Sequence, residues 1–269
     1  MIHHHKIFRR YLTITTVIAV VAAGCSNPFS DDDNDDNAFR GGYVLSFDDS
    51  YVREWYDHRD IFEEYDVSAT FFVTRFAQLT PSQIDMLKEL ERNGHEIGSH
   101  SYSHIDALEY AAAHSVAEYV NVEVIPAMDI MKEHGFDVNS FAFPFGANNE
   151  ELNMEVLKYV KVIRDVTDVQ RTTRTKRVTE IEEIFHSPGD GPVVYGLGID
   201  KVFDIPLGEI EEAFRRAQEN SEVVVFYAHR PVETAEGLYE IERSYLESIF
   251  LLARTYELKS LTISEIPFK

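Results

Sequence analysis

Tyr43-Val44-Leu45-Ser46-Phe47-Asp48-Asp49-Ser50 is the stretch on which the fold of this chain turns. Its first five residues form an apolar run that reads as a buried strand, and the run stops at two adjacent carboxylates. Further along, Gly94-His95-Glu96-Ile97-Gly98-Ser99 reads as another short strand entering a turn, followed by His100-Ser101-Tyr102-Ser103-His104. Imidazoles four residues apart on a helical turn share one face and can reach a single metal ion. One aspartate completes a three-ligand site with a position left for water, as catalytic zinc sites require, and the other stays free to act as a base. Two neighbouring buried carboxylates are costly without a cation, which favours the metal reading over simple capping.

Working outward from that stretch, strands alternate with amphipathic helices from Gly41 onward. Strands are expected at Tyr43–Phe47, Ala69–Thr74, His95–Gly98, Ser140–Phe143, Val160–Arg164, Glu222–Ala228 and Leu258–Ile263. Helices are expected at Asp57–Tyr65, Pro81–Asn93, Ala113–His134, Glu150–Tyr159, Leu207–Asn220 and Gly237–Tyr256. Pro81 after Thr80 marks a helix start and Gly94 after Asn93 a stop. Such alternation gives a parallel sheet with helices outside it. Asp48, Asp49, His100, His104, Phe145 and His229 all fall at strand ends, where a (β/α) barrel carries its active site. The expectation is therefore an α/β fold: a distorted (β/α) barrel of about seven parallel strands, forming one domain over residues 41–269. Thr172–Asp204, with Pro188, Gly189, Gly191, Gly196 and Gly198, reads as irregular loops over the barrel mouth.

The chain has 269 residues, 44% of them hydrophobic, ample for a large core. Its 25 basic and 47 acidic residues give a net charge of -22, which argues against nucleic acid as a partner, since that affinity rests on neutralising phosphates. Lys6, Arg9 and Arg10 precede the apolar stretch Tyr11–Ala23, whose 13 residues are too few for a comfortable membrane span. It runs into Ala22-Ala23-Gly24-Cys25, which resembles a bacterial lipoprotein lipobox. The resemblance implies removal of residues 1–24, lipidation of Cys25 and attachment to a membrane of the bacterial cell envelope; an ordinary secretory signal with an incidental cysteine is the alternative. Cys25 is the only cysteine, so no internal disulfide exists. Residues 25–40, with the acidic run Asp31–Asp36, read as a disordered tether. An acidic run placed so early also resembles the surface-export signals of some Gram-negative lipoproteins, implying an outer-membrane location and outward display.

The order of motifs resembles the polysaccharide deacetylases of carbohydrate esterase family 4, the NodB homology domain, over roughly Gly42 to Ile266. Ser46-Phe47-Asp48-Asp49-Ser50 is similar to the family's Thr-Phe-Asp-Asp-Gly, and His100-Ser101-Tyr102-Ser103-His104 to its His-Ser/Thr-x-x-His. Phe141-Ala142-Phe143-Pro144-Phe145-Gly146 resembles Arg-x-Pro-Tyr/Phe, and Val223–His229 a hydrophobic strand ending in Leu-x-His. Ala69-Thr70-Phe71-Phe72-Val73 is similar to the family's second strand. The resemblance implies that Asp49, His100 and His104 hold a divalent metal, zinc first, with cobalt, nickel or manganese fitting the same ligands. It implies Asp48 as general base, His229 as general acid and the Phe145 N–H as an oxyanion donor. The implied substrate is an acetylated glycan.

The departures define what the fold must supply by other means. The family's third-motif Arg corresponds to Ala142, its Leu before the last His to Tyr227, and its fourth motif, Asp followed by Trp, is not recognisable; the only Trp is Trp55. Arg164, ending the next strand, is the expected partner for Asp48, and Asp165, Asp200 or Asp204 for His229. His95, His114, His134 and His186 lack such spacing and read as structural or exposed. Three functions remain open: an N-deacetylase on an N-acetylglucosamine polymer or peptidoglycan, an O-acetyl esterase on xylan-type glycans, and an inactive glycan-binding lipoprotein. Oligomeric state is open too.

Overall fold

The computed structural model of the chain describes residues 39–167 and 176–268. The expected signal segment, Cys25, the acidic run and the beginning of the Thr172–Asp204 segment lie outside the described residues.

Strands β1 (Gly42–Asp49), β2 (Thr70–Val73), β3 (Glu96–Ser99), β4 (Ser140–Ala142), β5 (Val162–Val166), β6 (Phe185–His186), β7 (Val193–Gly198) and β8 (Val223–Ala228) follow one another along the chain. All but β6 pair in parallel in the order β1-β2-β3-β4-β5-β7-β8, and β8 pairs back onto β1, closing a seven-stranded barrel. Helices α1 (Val52–Asp57), α2 (Arg59–Tyr65), α3 (Pro81–Arg92), α4 (Ala107–Ala113), α5 (Val116–Tyr119), α6 (Ile125–Glu133), α7 (Glu150–Val156), α8 (Leu207–Asn220) and α9 (Arg243–Thr255) complete the fold. The short strands β9 (Arg230–Val232) and β10 (Glu240–Glu242) form a separate pair above the mouth, and β11 (Lys259–Leu261) comes last.

The period of two along each strand sorts its side chains. On β1, Tyr43, Leu45 and Phe47 join the outer core that packs the helices, whereas Val44 joins an inner core with Phe72, Ala142, Val162, Val194, Val223 and Val225. Continued upward, the inward row of β1 reads Ser46 and Asp48, that of β5 reads Arg164, and that of β8 reads Tyr227. The strand alternation that buries valines at the bottom thus delivers polar groups to the top.

Seven parallel strands are as expected, but one member differs. Leu258–Ile263 supplies β11, which pairs beside the lower end of β1 (Gly42–Val44) outside the ring, while β2 takes the upper end (Ser46–Asp49). The missing ring member is β7, inside the stretch expected to be irregular. Its glycines hid it, because glycine weakens a strand signal. They are there for space: a Cβ on Gly198 would sit 2.2 Å from the Phe203 ring, and one on Gly196 3.3 Å from Val225 and 3.5 Å from Arg164. The helix expected over Ala113–His134 contains a π turn at Val120–Val124, and the one expected from Gly237 begins only at Arg243, after β10. Helix α3 starts as anticipated, with Thr80 and Gln83 closing a reciprocal capping box.

Candidate active site

Asp49 sits at the tip of β1, where a left-handed backbone (φ 86°) ends the strand alternation. His100 follows β3 directly. The pair His100 and His104 is not on a helical turn: the segment is an irregular loop with left-handed Ser101 (φ 67°) and His104 (φ 64°). That double reversal, rather than helical spacing, brings the rings together, 5.1 Å between centroids. His104 Nε2 lies 3.0 Å and His100 Nε2 3.9 Å from Asp49 Oδ1. One ligand atom from each of the three residues lies within 4.8 Å of the others, the arrangement a metal ion needs.

The donor set fits a divalent cation on chemical grounds too. The Ala142 carbonyl accepts from His100 Nδ1 at 2.7 Å, which fixes the tautomer and leaves Nε2 facing Asp49. Burial pushes the His100 imidazole down to about 4, so it is neutral and free to ligate at physiological pH. For Asp49, burial pushes upward, but the hydrogen bond from His104 and the charges of His100, His229 and His104 outweigh it and hold the carboxyl below its ordinary range.

Asp48 points to the barrel axis and is buried. Arg164 donates to both of its carboxylate oxygens through Nη2. In the β4–β5 register, Arg164 stands directly opposite Ala142, so the guanidinium arrives one strand over from where the family pattern has it. Its planar head is held near the Tyr227 ring (4.8 Å to the centroid) and the Phe72 ring (5.3 Å). The small Ala142 and Gly196 leave the width this side chain occupies.

Of the three aspartates considered for His229, Asp200 is the partner. Its Oδ2 lies 2.7 Å from His229 Nδ1, and its Oδ1 accepts from the His229 backbone N–H at 3.0 Å. Asp165 instead accepts from Val166 N–H. The indole N–H of Trp55 donates to the His229 carbonyl at 2.9 Å, fixing the main chain there. Burial pulls the His229 imidazole down, but Asp200, by hydrogen bond and charge, together with Asp48 and Asp49, carries it above its ordinary value.

These groups converge on a cavity of about 340 Å³ lined by Asp48, Asp49, His100, His104 and His229. Phe145 reaches it with a left-handed backbone (φ 63°) and an exposed ring set edge-on to His104, 4.7 Å between centroids. Tyr51, Phe203 and Tyr239 also line the cavity and had not been anticipated. Tyr51 lies two residues past the aspartate pair, a readable signal; Phe203 and Tyr239 sit on connections with none. His95 is buried structure, accepting from the Ala69 N–H, and His114 is exposed against Tyr110.

A closed parallel barrel with a cluster able to hold a metal ion at one rim and the Asp48–Arg164 and His229–Asp200 pairs beside it defines a class: a (β/α) barrel with a polar site at its strand ends. Residues 38–162 match the family described as polysaccharide deacetylase. The chitin deacetylase of the fungal pathogen Colletotrichum lindemuthianum superposes with a TM-score of 0.55 at 15% identity, covering 83% of this chain and 86% of that one. The family 4 carbohydrate esterase from Streptomyces lividans, in complex with acetate, superposes with a TM-score of 0.51 at 14% identity, covering 86% and 98%. At such identities the likeness is one of fold. A curated relative, gellan lyase from Bacillus sp, is 28% identical over 118 residues, 43% of this chain but 4% of that relative's length. Over residues 38–162 the chain thus carries the polysaccharide deacetylase match, and its barrel shares the fold of the family 4 carbohydrate esterases.

Proposed function

We propose that the protein removes acetyl groups from an N-acetylated glycan, an N-acetylglucosamine polymer or peptidoglycan, in a reaction that depends on a divalent metal, zinc first. The observation that carries this reading is one cavity flanked by the Asp49–His100–His104 cluster, the Asp48–Arg164 pair and the His229–Asp200 pair. Asp49, His100 and His104 would hold the ion, which when bound supplies Lewis-acid polarisation of the acetyl carbonyl and acidifies water. Asp48 takes a proton from the attacking water, its carboxylate oriented by Arg164. The Phe145 backbone N–H faces charge developing on the carbonyl oxygen. His229, protonated and held at Nδ1 by Asp200, gives a proton from Nε2 to the departing amine.

Acetate release by the full chain with zinc tests this, on an N-acetylglucosamine oligomer, peptidoglycan and acetylated xylan, with Asp48→Asn as control. Acetate from the amino sugars that disappears in the control is the expected result. Acetate from xylan alone moves the assignment to O-acetyl ester hydrolysis. None from any substrate by metal-loaded protein overturns catalysis in favour of glycan binding. We propose further that lipid on Cys25 holds the chain at the cell envelope, at the outer membrane and facing outward. Loss of fatty-acid labelling in Cys25→Ser is the expected result, and labelling that persists rules this out.

A further inference from the structure

Two of the three ligands hang on a loop that is unfavourable by itself. Ser101 and His104 both hold left-handed φ without being glycine, at a cost of about 1–2 kcal/mol each. Local bonds, from His104 N–H to Ser101 Oγ (3.1 Å) and from Thr74 Oγ1 to the Ser101 carbonyl (3.3 Å), hold Ser101 and close the loop onto it, but make no contact with Tyr102 or Ser103 between.

The rest of the loop is held by a residue from outside the site. Glu123 is 3% exposed, a charged side chain on an otherwise apolar helix stripe. One of its carboxylate oxygens accepts the Ser103 N–H at 2.8 Å and the other accepts the Ser103 hydroxyl. Its backbone carbonyl accepts the Tyr102 N–H at 2.9 Å. Three bonds thus tie Tyr102 and Ser103, the residues just before His104, to one helical residue.

The helix is deformed at that point. Buried residues recur every four positions (Tyr119 and Val120, Glu123 and Val124, Ala127 and Met128). An α-helix would rotate such a pattern off its face by about 40° each turn. Instead the Ile125 N–H reaches the Val120 carbonyl in a π turn, which absorbs the drift. Pro126 follows immediately and has no N–H to give to a regular ladder. The π turn keeps Glu123 facing the loop, where a regular helix would carry it aside.

We infer that Glu123 is a positioning residue for the metal ligands, acting through Ser103 to set the approach of His104; this deepens, and rests on, the metal reading of Asp49, His100 and His104. The test is the dissociation constant for Co²⁺ titrated into the chelator-stripped full chain, followed by visible absorption, alongside the melting temperature of the metal-free protein. Glu123→Ala is expected to weaken binding about 10- to 100-fold, as loss of an outer-shell partner does. Glu123→Gln, which keeps a carbonyl oxygen for Ser103, recovers most of the affinity. Ser103→Ala removes the hydroxyl bond of the same link, leaves the Ser103 N–H bond and the helix untouched, and weakens binding about three- to tenfold. A lower melting temperature with unchanged Co²⁺ affinity in these variants, while His104→Ala has lost the ion, overturns the inference. Native affinity in His104→Ala overturns the metal reading itself, a separate failure.

Discussion

Strands β1 to β4 and strands β5 to β8 wall the same cavity with different devices. The first half contributes Asp49, His100, His104 and Phe145, all at or just beyond strand ends, and three of these four have left-handed backbones. The second half contributes Arg164, Asp200 and His229, none of them left-handed, each meeting an oppositely charged or hydrogen-bonding partner. The difference follows from what each must do. Groups proposed to share one ion have to converge on one point, and the left-handed residues Asp49, Ser101 and His104 turn the chain back to bring them there. Supporting groups need only face a partner across a closed barrel, which strand alternation provides. The first half should therefore fail in geometry and the second in charge.

The largest expected effect sharpens that contrast. His104→Ala removes a proposed ligand whose ring contacts, to His100 and Phe145, lie at the cavity rim, so activity should fall at least about 10³-fold, several kcal/mol of lost charge stabilisation, while the metal-free melting temperature changes far less. Arg164→Met comes next and should damage both properties. It strands the buried Asp48 carboxylate, a loss of about 3–5 kcal/mol in stability, and activity should fall about 10²- to 10³-fold. Adding Asp48→Asn to Arg164→Met should restore much of the stability and none of the activity. Denaturant unfolding beside acetate release checks both. Equal stability in the Arg164→Met single and double variants would break the distinction between the two halves.

The same contrast explains what could be read in advance. The convergence of Asp49, His100 and His104 was legible because residues able to share a metal ion are of few types, here set at short spacing after obvious strands. Arg164 was legible by subtraction: with Ala142 in the expected place, the next strand end held the nearest cation. Asp200 was one of three choices because a buried partner carries no local pattern of its own. β7 escaped because the cavity needs Gly196 and Gly198 where a strand signal needs side chains. The loop at His100 was misread as helical because i, i+4 spacing does not distinguish one helical turn from two left-handed reversals. Glu123 did carry a signal, a lone acid on an apolar stripe, though what it serves depends on a π turn and a loop far from it in sequence.

Asp200→Asn should act more gently and show itself in pH dependence. The Asp200 contact and nearby carboxylates outweigh burial and raise His229. A general acid works while protonated, so its rate is lost as pH rises through that raised pKa. Without the anion, burial dominates, the pKa falls, and the alkaline limb of kcat/KM should move to lower pH. The accompanying loss in kcat should be about 10²-fold, at the low end of what general acid–base catalysis contributes. An unmoved limb would mean that His229 is not the titrating acid.

Tyr239 gives the smallest effect and tests whether the second half does anything beyond pairing charges. It is 54% exposed, lines the cavity, and stands 5.1 Å from the His229 ring at a steep angle. It reaches there because the segment between β9 and β10 is pinned: Lys201 Nζ donates to the Ala235 carbonyl at 2.7 Å, and Glu240 accepts from the Glu236 and Gly237 N–H groups. An aromatic face held rigidly over a mouth costs little entropy to use and suits the apolar face of a sugar ring. Tyr239→Ala should raise KM about three- to tenfold with kcat nearly unchanged, the mark of binding shared by ground and transition states. Tyr239→Phe should behave as native if the ring surface is what matters. A fall in kcat at constant KM would place Tyr239 with the proton-transfer groups instead, and the pinned β9–β10 segment would then serve His229 and not the substrate.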